Sequence, residues 1–90
     1  MDSNYTEEQE QLFSLIGKNT RYYRNMYSLK KKKMTQEKLA ELIDVSTALI
    51  GNLESAKIKQ GISVYTLWKI SKVLEVPIEN FFKENPEDVI

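Results

Sequence analysis

Cysteine and histidine are both absent from this 90-residue chain. That absence excludes disulfides, thiolate catalysis and the common zinc sites, and it fits a reducing compartment. Glycine occurs only three times and never in a cluster, so there is no glycine-rich loop to cradle a phosphate. No apolar run approaches the ~20 residues that span a bilayer. The opening MDSNYTEEQEQ is polar and acidic, unlike a secretory signal. The expectation is a cytoplasmic protein without cofactor or metal. One small domain with a modest core, built from about five short helices, is what this length allows.

Net charge is also lacking, since 13 basic residues balance 13 acidic ones. The charges are nevertheless segregated. Residues 1–17 carry −4, residues 18–60 carry +6 and residues 61–90 carry −2. A basic middle flanked by acidic ends puts the attraction for a phosphate backbone in one segment and tempers it overall.

What is present is helical periodicity. Thr6-Glu7-Glu8-Gln9 has the form of a capping box. It opens a first helix expected from about Glu7 to Tyr27, with Leu12, Ile16, Thr20, Tyr23 and Tyr27 along one stripe. The apolar Leu12, Phe13, Leu15 and Ile16 imply that its N-terminal part folds back on the domain or meets another chain. Ser28 to Lys33 holds four consecutive lysines, Lys30 to Lys33. It reads either as a solvated mobile loop or as an arm that touches phosphates. Ser63 caps a later helix with Val64, Leu67, Ile70 and Leu74 (or Val73) inward. Val76-Pro77 ends that helix and starts a short fifth one carrying Ile78, Phe81 and Phe82, of which one phenylalanine is expected in the core and the other at an interface. The expected layout is a flexible 1–6, a domain over 7–84 and a tail over 85–90.

The most telling stretch is TQEKLAELIDVSTALIGNLE, from Thr35 to Glu54. Thr35 suits the N-cap of a second helix with Leu39, Ala40, Leu42 and Ile43 apolar. Asp44-Val45 makes a tight turn with Val45 inward, and Ser46 caps a third helix. At 100° per residue, Ile50 and Leu53 share one face of that helix. Thr47, Ala48, Gly51, Asn52 and Ser55 share the opposite one. Two helices across a tight turn, the second with a slender polar outer face, have the shape that enters a DNA major groove.

The residue order Ile16-Gly17-Lys18, Arg21, Arg24, TQEKLAELIDVS, IGNLES and TLWKISKVLEVPIENFF resembles the phage repressor and Cro-like (XRE) helix-turn-helix family over about Ile16 to Phe82. IGN followed by Leu-Glu is also similar to the recognition helix of restriction–modification controller proteins, which are small DNA-binding homodimers. The resemblance implies an all-α, five-helix repressor-like domain with its helix-turn-helix at helices 2 and 3 and an extended first helix. It further implies that Gln36 anchors phosphate and that Arg24 pairs with Glu54 to set the angle of the recognition helix. Two departures stand out. The connection MYSLKKKKM is about five residues longer than the family's, and the loop at IKQGI about two.

The candidate DNA-binding residues are Thr35, Gln36, Ser46, Thr47, Ala48, Asn52, Ser55, Lys57 and Lys59, with Arg24 and Glu54 as a structural ion pair. Asn52 has the two groups that pair with adenine N6 and N7, or it is a solvated surface amide. Thr47 and Ala48 offer methyl groups to thymine, or are merely small. Gly51 lets the helix backbone approach the groove, or is tolerated. Without arginine on this face, A·T pairs are expected opposite Asn52. The implied function is a transcriptional regulator, a repressor acting as a homodimer on palindromic double-stranded DNA. The competing function is a protein-interaction module of antitoxin or antirepressor type on the same fold. No membrane association is expected, and an enzyme is not indicated, because the acidic residues fall on helix surfaces.

Overall fold

Each α-helix of the domain starts where a side-chain oxygen can accept from a backbone N–H that has no intrahelical partner. The computed structural model describes residues 6–55 and 59–85. Its elements are α1 (Glu7–Lys30), α2 (Gln36–Ile43), α3 (Thr47–Glu54), α4 (Val64–Leu74) and a 3-10 helix over Ile78–Phe82. Thr6, Thr35, Ser46 and Ser63 cap the four α-helices through their side chains. At Thr6 the box is complete, because Gln9 Oε1 accepts from the Thr6 N–H at 2.9 Å. No strand occurs among the described residues, and the architecture is all-α.

Helix ends depend on less local information. α1 runs one turn past the expected Tyr27, to Lys30, so Ser28 to Lys30 are helical and not loop. Ser-Leu-Lys contains no helix breaker, and Ser28 makes the stop itself. Its hydroxyl donates to Arg24 O at 3.1 Å and accepts from the Met34 N–H at 2.8 Å, folding the chain back onto α1. Lys31, expected within a mobile run, pairs with Glu75 at 2.6 Å. The Glu75 carboxylate holds its ammonium above the usual lysine range. α2 and α4 both close on a left-handed residue, Asp44 and Glu75, each at φ 60°. The following N–H groups of Val45 and Val76 bond back five residues, to Ala40 and Ser71, a Schellman closure without glycine.

The core comprises Ile16, Met34, Leu39, Ala40, Ile43, Ile50, Leu53, Leu67, Ile70, Leu74 and Phe81. Val45 packs against it, partly buried. Three residues from the expected apolar faces are exposed, Leu12 of α1 at 41% among them. Leu42 is 49% exposed and Val64 79% exposed. In eight residues α2 turns only Leu39, Ala40 and Ile43 to the core, and Val64 overhangs it in the first turn of α4. The fifth helix is 3-10, because five residues after Pro77 cannot offset the cost of nucleating an α-helix. It buries Phe81 completely and leaves Phe82 47% exposed. Asn19, fully buried on α1, donates to Phe81 O and Lys83 O, both at 2.9 Å, and so ties this segment down.

α1 packs against α3 and the C-terminal segment, while α2 packs against α3 and α4. α1 and α3 cross closely. A Cβ on the buried Gly17 would lie 1.8 Å from Leu53 O, so only glycine fits there. Gly17→Ala is expected to destabilise the protein by about 1–3 kcal/mol despite alanine's better helix propensity. A urea titration against wild type measures it, and an unchanged midpoint would contradict this account of the crossing.

Candidate nucleic-acid interface

α3 is held from behind by what it buries. Ile50 and Leu53 are in the core, and Leu49 packs against it. Thr47 and Ala48 are exposed, while Gly51, Asn52 and Ser55 are half-buried on the outward side. The outer face is therefore small and polar, with no charged side chain between its N-cap and Asn52. Ser46 is exposed, and its hydroxyl is engaged by the Leu49 N–H at 3.1 Å. Thr35 is likewise engaged by the Lys38 N–H at 2.9 Å. At both caps the serine or threonine serves the helix first.

A bidentate ion pair ties α3 to α1. Arg24 Nε donates to Glu54 Oε2 and its Nη2 to Oε1, both at 2.8 Å. The third nitrogen donates to Met34 O at 3.1 Å, which links the pair to the α1–α2 connection. Gln36 Nε2 adds a bond to Glu54 Oε1 at 3.0 Å. The Glu54 carboxylate is 2% exposed and the Arg24 side chain 12%. A planar guanidinium fork matches a carboxylate in a way a lysine ammonium does not. The Arg24–Glu54 pairing expected by resemblance is thus present, and Gln36 belongs to the same network.

Two glutamines bracket the outer face. Gln36, from α2, lies beside Gly51, where an added Cβ would meet its Oε1 at an ordinary 3.5 Å. Gln60, from the loop after α3, lies beside Asn52, whose Nδ2 reaches Gln60 Oε1 at 3.5 Å. Gln60 was not among the sequence candidates, since nothing in a local pattern says that a loop residue eight positions on returns to the helix. Lys57 lies outside the described residues. Lys59 is exposed, with its ammonium 2.8 Å from Glu10 of α1. The N-terminal half of α1 therefore reaches the loop that follows α3, where an acidic side chain meets a lysine expected to face phosphate. Among the described residues no cluster of acids is arranged to hold a metal ion, and no helix is long and apolar enough to cross a membrane.

A protein-family model, helix-turn-helix, matches residues 26–81. The chain belongs to the XRE-type, Cro/repressor-like helix-turn-helix family. It is accordingly a DNA-binding regulator in general character, of a family that is not typically enzymatic. No match was found among curated proteins. The matched region takes in α2, α3 and α4 with the buried Phe81. Residues Glu7 to Asn25 precede it, yet Ile16, Gly17, Asn19 and Arg24 are integral to the same core and ion pair.

Removing one partner of the Arg24–Glu54 pair would leave a buried charge without its counterpart. Arg24→Met is expected to cost about 3–5 kcal/mol, and Arg24→Met with Glu54→Leu much less. Thermal or urea unfolding of the two variants tests this. A double variant no better than the single one would mean that the carboxylate is not what Arg24 serves.

Proposed function

We propose that the protein is a sequence-specific repressor that acts as a homodimer on a palindromic operator, with α3 in the major groove. The observation that carries this is a helix fixed from behind by Leu53, Gly17 and the Arg24–Glu54 fork, with only small polar groups outward. Asn52 is the base-reading residue, since one amide can donate to adenine N7 while accepting from N6. Thr47 and Ala48 offer methyl contacts to thymine beside it. Thr35, Gln36 and Ser46 stand at the N-termini of α2 and α3, where backbone N–H groups and the helix dipole favour phosphate. Ser55, Lys57 and Lys59 extend that contact along the backbone of the duplex, with Lys59 shared between Glu10 and phosphate. A single short helix reads a short half-site. Useful specificity therefore calls for a second copy one helical turn away, and the exposed Phe82 is a candidate for the pairing surface.

One feature favours the second function, a protein-interaction module of antitoxin or antirepressor type. Tyr65 and Trp68 stack at 6.1 Å on the outer side of α4, 65% and 47% exposed. Exposed aromatic pairs of this kind suit a protein partner.

Selection of binding sites from random duplex DNA separates the two functions. The expected product is a palindrome with A·T pairs at the centre of each half-site, its affinity falling with salt at a slope of about −0.9 per phosphate contacted. Asn52→Ala should relax the preference at one of those pairs by about 1–3 kcal/mol. Recovery of G·C there would count against Asn52 as the reader, and no enrichment at low salt would favour the protein partner.

Gly51→Ala offers an independent check. An added methyl has room within the protein, so stability should rise by about 0.8–1 kcal/mol. Operator affinity should fall in the same variant if the α3 backbone approaches the groove. A rise in both quantities would place Gly51 away from DNA.

A further inference from the structure

The longer loop after α3 brings back a side chain that the family reading gives no task. Gln60 is half-buried. Its Nε2 donates to Gly61 O at 2.8 Å, and its Oε1 faces Asn52 Nδ2 at 3.5 Å. The direction of this short chain is fixed by its last member. A backbone carbonyl can only accept, so Gln60 must turn its NH2 toward Gly61 and its oxygen toward Asn52. Asn52 must in turn present nitrogen to Gln60 and its own oxygen the other way. An isolated surface asparagine has no such preference, because its two amide orientations are nearly equivalent in water.

We infer that Gln60 is a positioning residue for base reading: through the Gly61 carbonyl it selects one orientation of the Asn52 amide before DNA arrives. The inference rests on Asn52 as the reader of α3. The arrangement leaves Asn52 the groups that adenine takes, its carbonyl oxygen and its second N–H. The 3.5 Å spacing is long for a hydrogen bond. Gln60 thus orients the amide without immobilising it, and Asn52 keeps the freedom to settle on a base edge. Fixing a polar group in its bound geometry raises discrimination chiefly by lowering the ordering cost on binding.

The test uses the full chain and Gln60→Met, which keeps side-chain length and removes both amide groups. In the DNA-free protein, the Asn52 side-chain amide resonances should shift, and its order parameter should fall, when Gln60 becomes Met. An Asn52 amide with the same shifts and the same order in both proteins overturns the inference, whatever the DNA result. On the selected operator, Gln60→Met should lower discrimination at the base pair that Asn52→Ala relaxes, by about tenfold. Adding it to Asn52→Ala should then change that discrimination no further. Relaxation at a different base pair, or additive losses in the double variant, would also overturn it. If wild type selects no sequence at all, Asn52 is not a reader and the positioning role for base reading falls with it. A spectral change on Gln60→Met would then show an amide contact without that role.

Discussion

The close crossing of α1 behind the last turn of α3 is the constraint on which the rest depends. Helices with ordinary side chains at their contact pack 8–10 Å apart, and a glycine lets one backbone come nearer. Here Gly17 lies against the Leu53 carbonyl with no space for a methyl group. Two turns along α1, Arg24 reaches the neighbouring Glu54 and grips it with a two-pronged bond. Steric fit and ion pair thus act on adjacent residues of α3 from one helix. The fit limits how close α3 lies, and the fork adds a directional bond between the same two helices. A third bond from Arg24 to Met34 O brings the start of α2 into the same frame, so both halves of the helix-turn-helix are referred to α1.

This arrangement bears on what the Arg24–Glu54 pair contributes. Desolvating two charges offsets much of their attraction, and such pairs often add little net stability compared with apolar replacements. A pair of leucines could fill the same space, but leucines slide, whereas a guanidinium–carboxylate fork has one good geometry. A helix presented for docking gains more from a single orientation than from a further increment of stability. Gln36 reinforces this by bonding the same carboxylate from α2, which leaves its amide oxygen beside Gly51 on the outer face.

Local signals in the sequence transmitted well. The caps at Thr6, Thr35, Ser46 and Ser63 all form as their residue types dictate, and Asp44 adopts the left-handed turn. Each depends on a few neighbouring residues. What escaped depends on residues far apart in the chain. Ser28 ends α1 through a bond to Met34, Asn19 holds the carbonyls of Phe81 and Lys83, and Gln60 returns to Asn52. Hydropathy could not show these, because all three are polar residues whose partners are set by tertiary structure. Gly17 was visible as part of a resemblance, but its reason, the Leu53 carbonyl, was not. Val64 failed for the opposite cause: the helical pattern was right, and the core it should face does not extend that far.

Charge is where the linear sequence is least reliable as a guide to the surface. The middle segment has an excess of +6 by count, which suggests a strongly basic face. In three dimensions Arg24 serves Glu54, Lys31 serves Glu75, Lys38 lies 3.7 Å from Glu41 and Lys59 meets Glu10. Two of those acids come from outside the basic segment, so folding brings the acidic ends onto the basic middle. The exposed pairs contribute little to stability, but each moves a counter-charge to within a Debye length of any phosphate its lysine could touch. Non-specific attraction to DNA, which grows with the number of phosphates neutralised, is correspondingly restrained. Under the function proposed above, discrimination between sequences rests on fit and on the Asn52 amide of α3, which makes the rigidity imposed by α1 a condition of specificity as well as of folding.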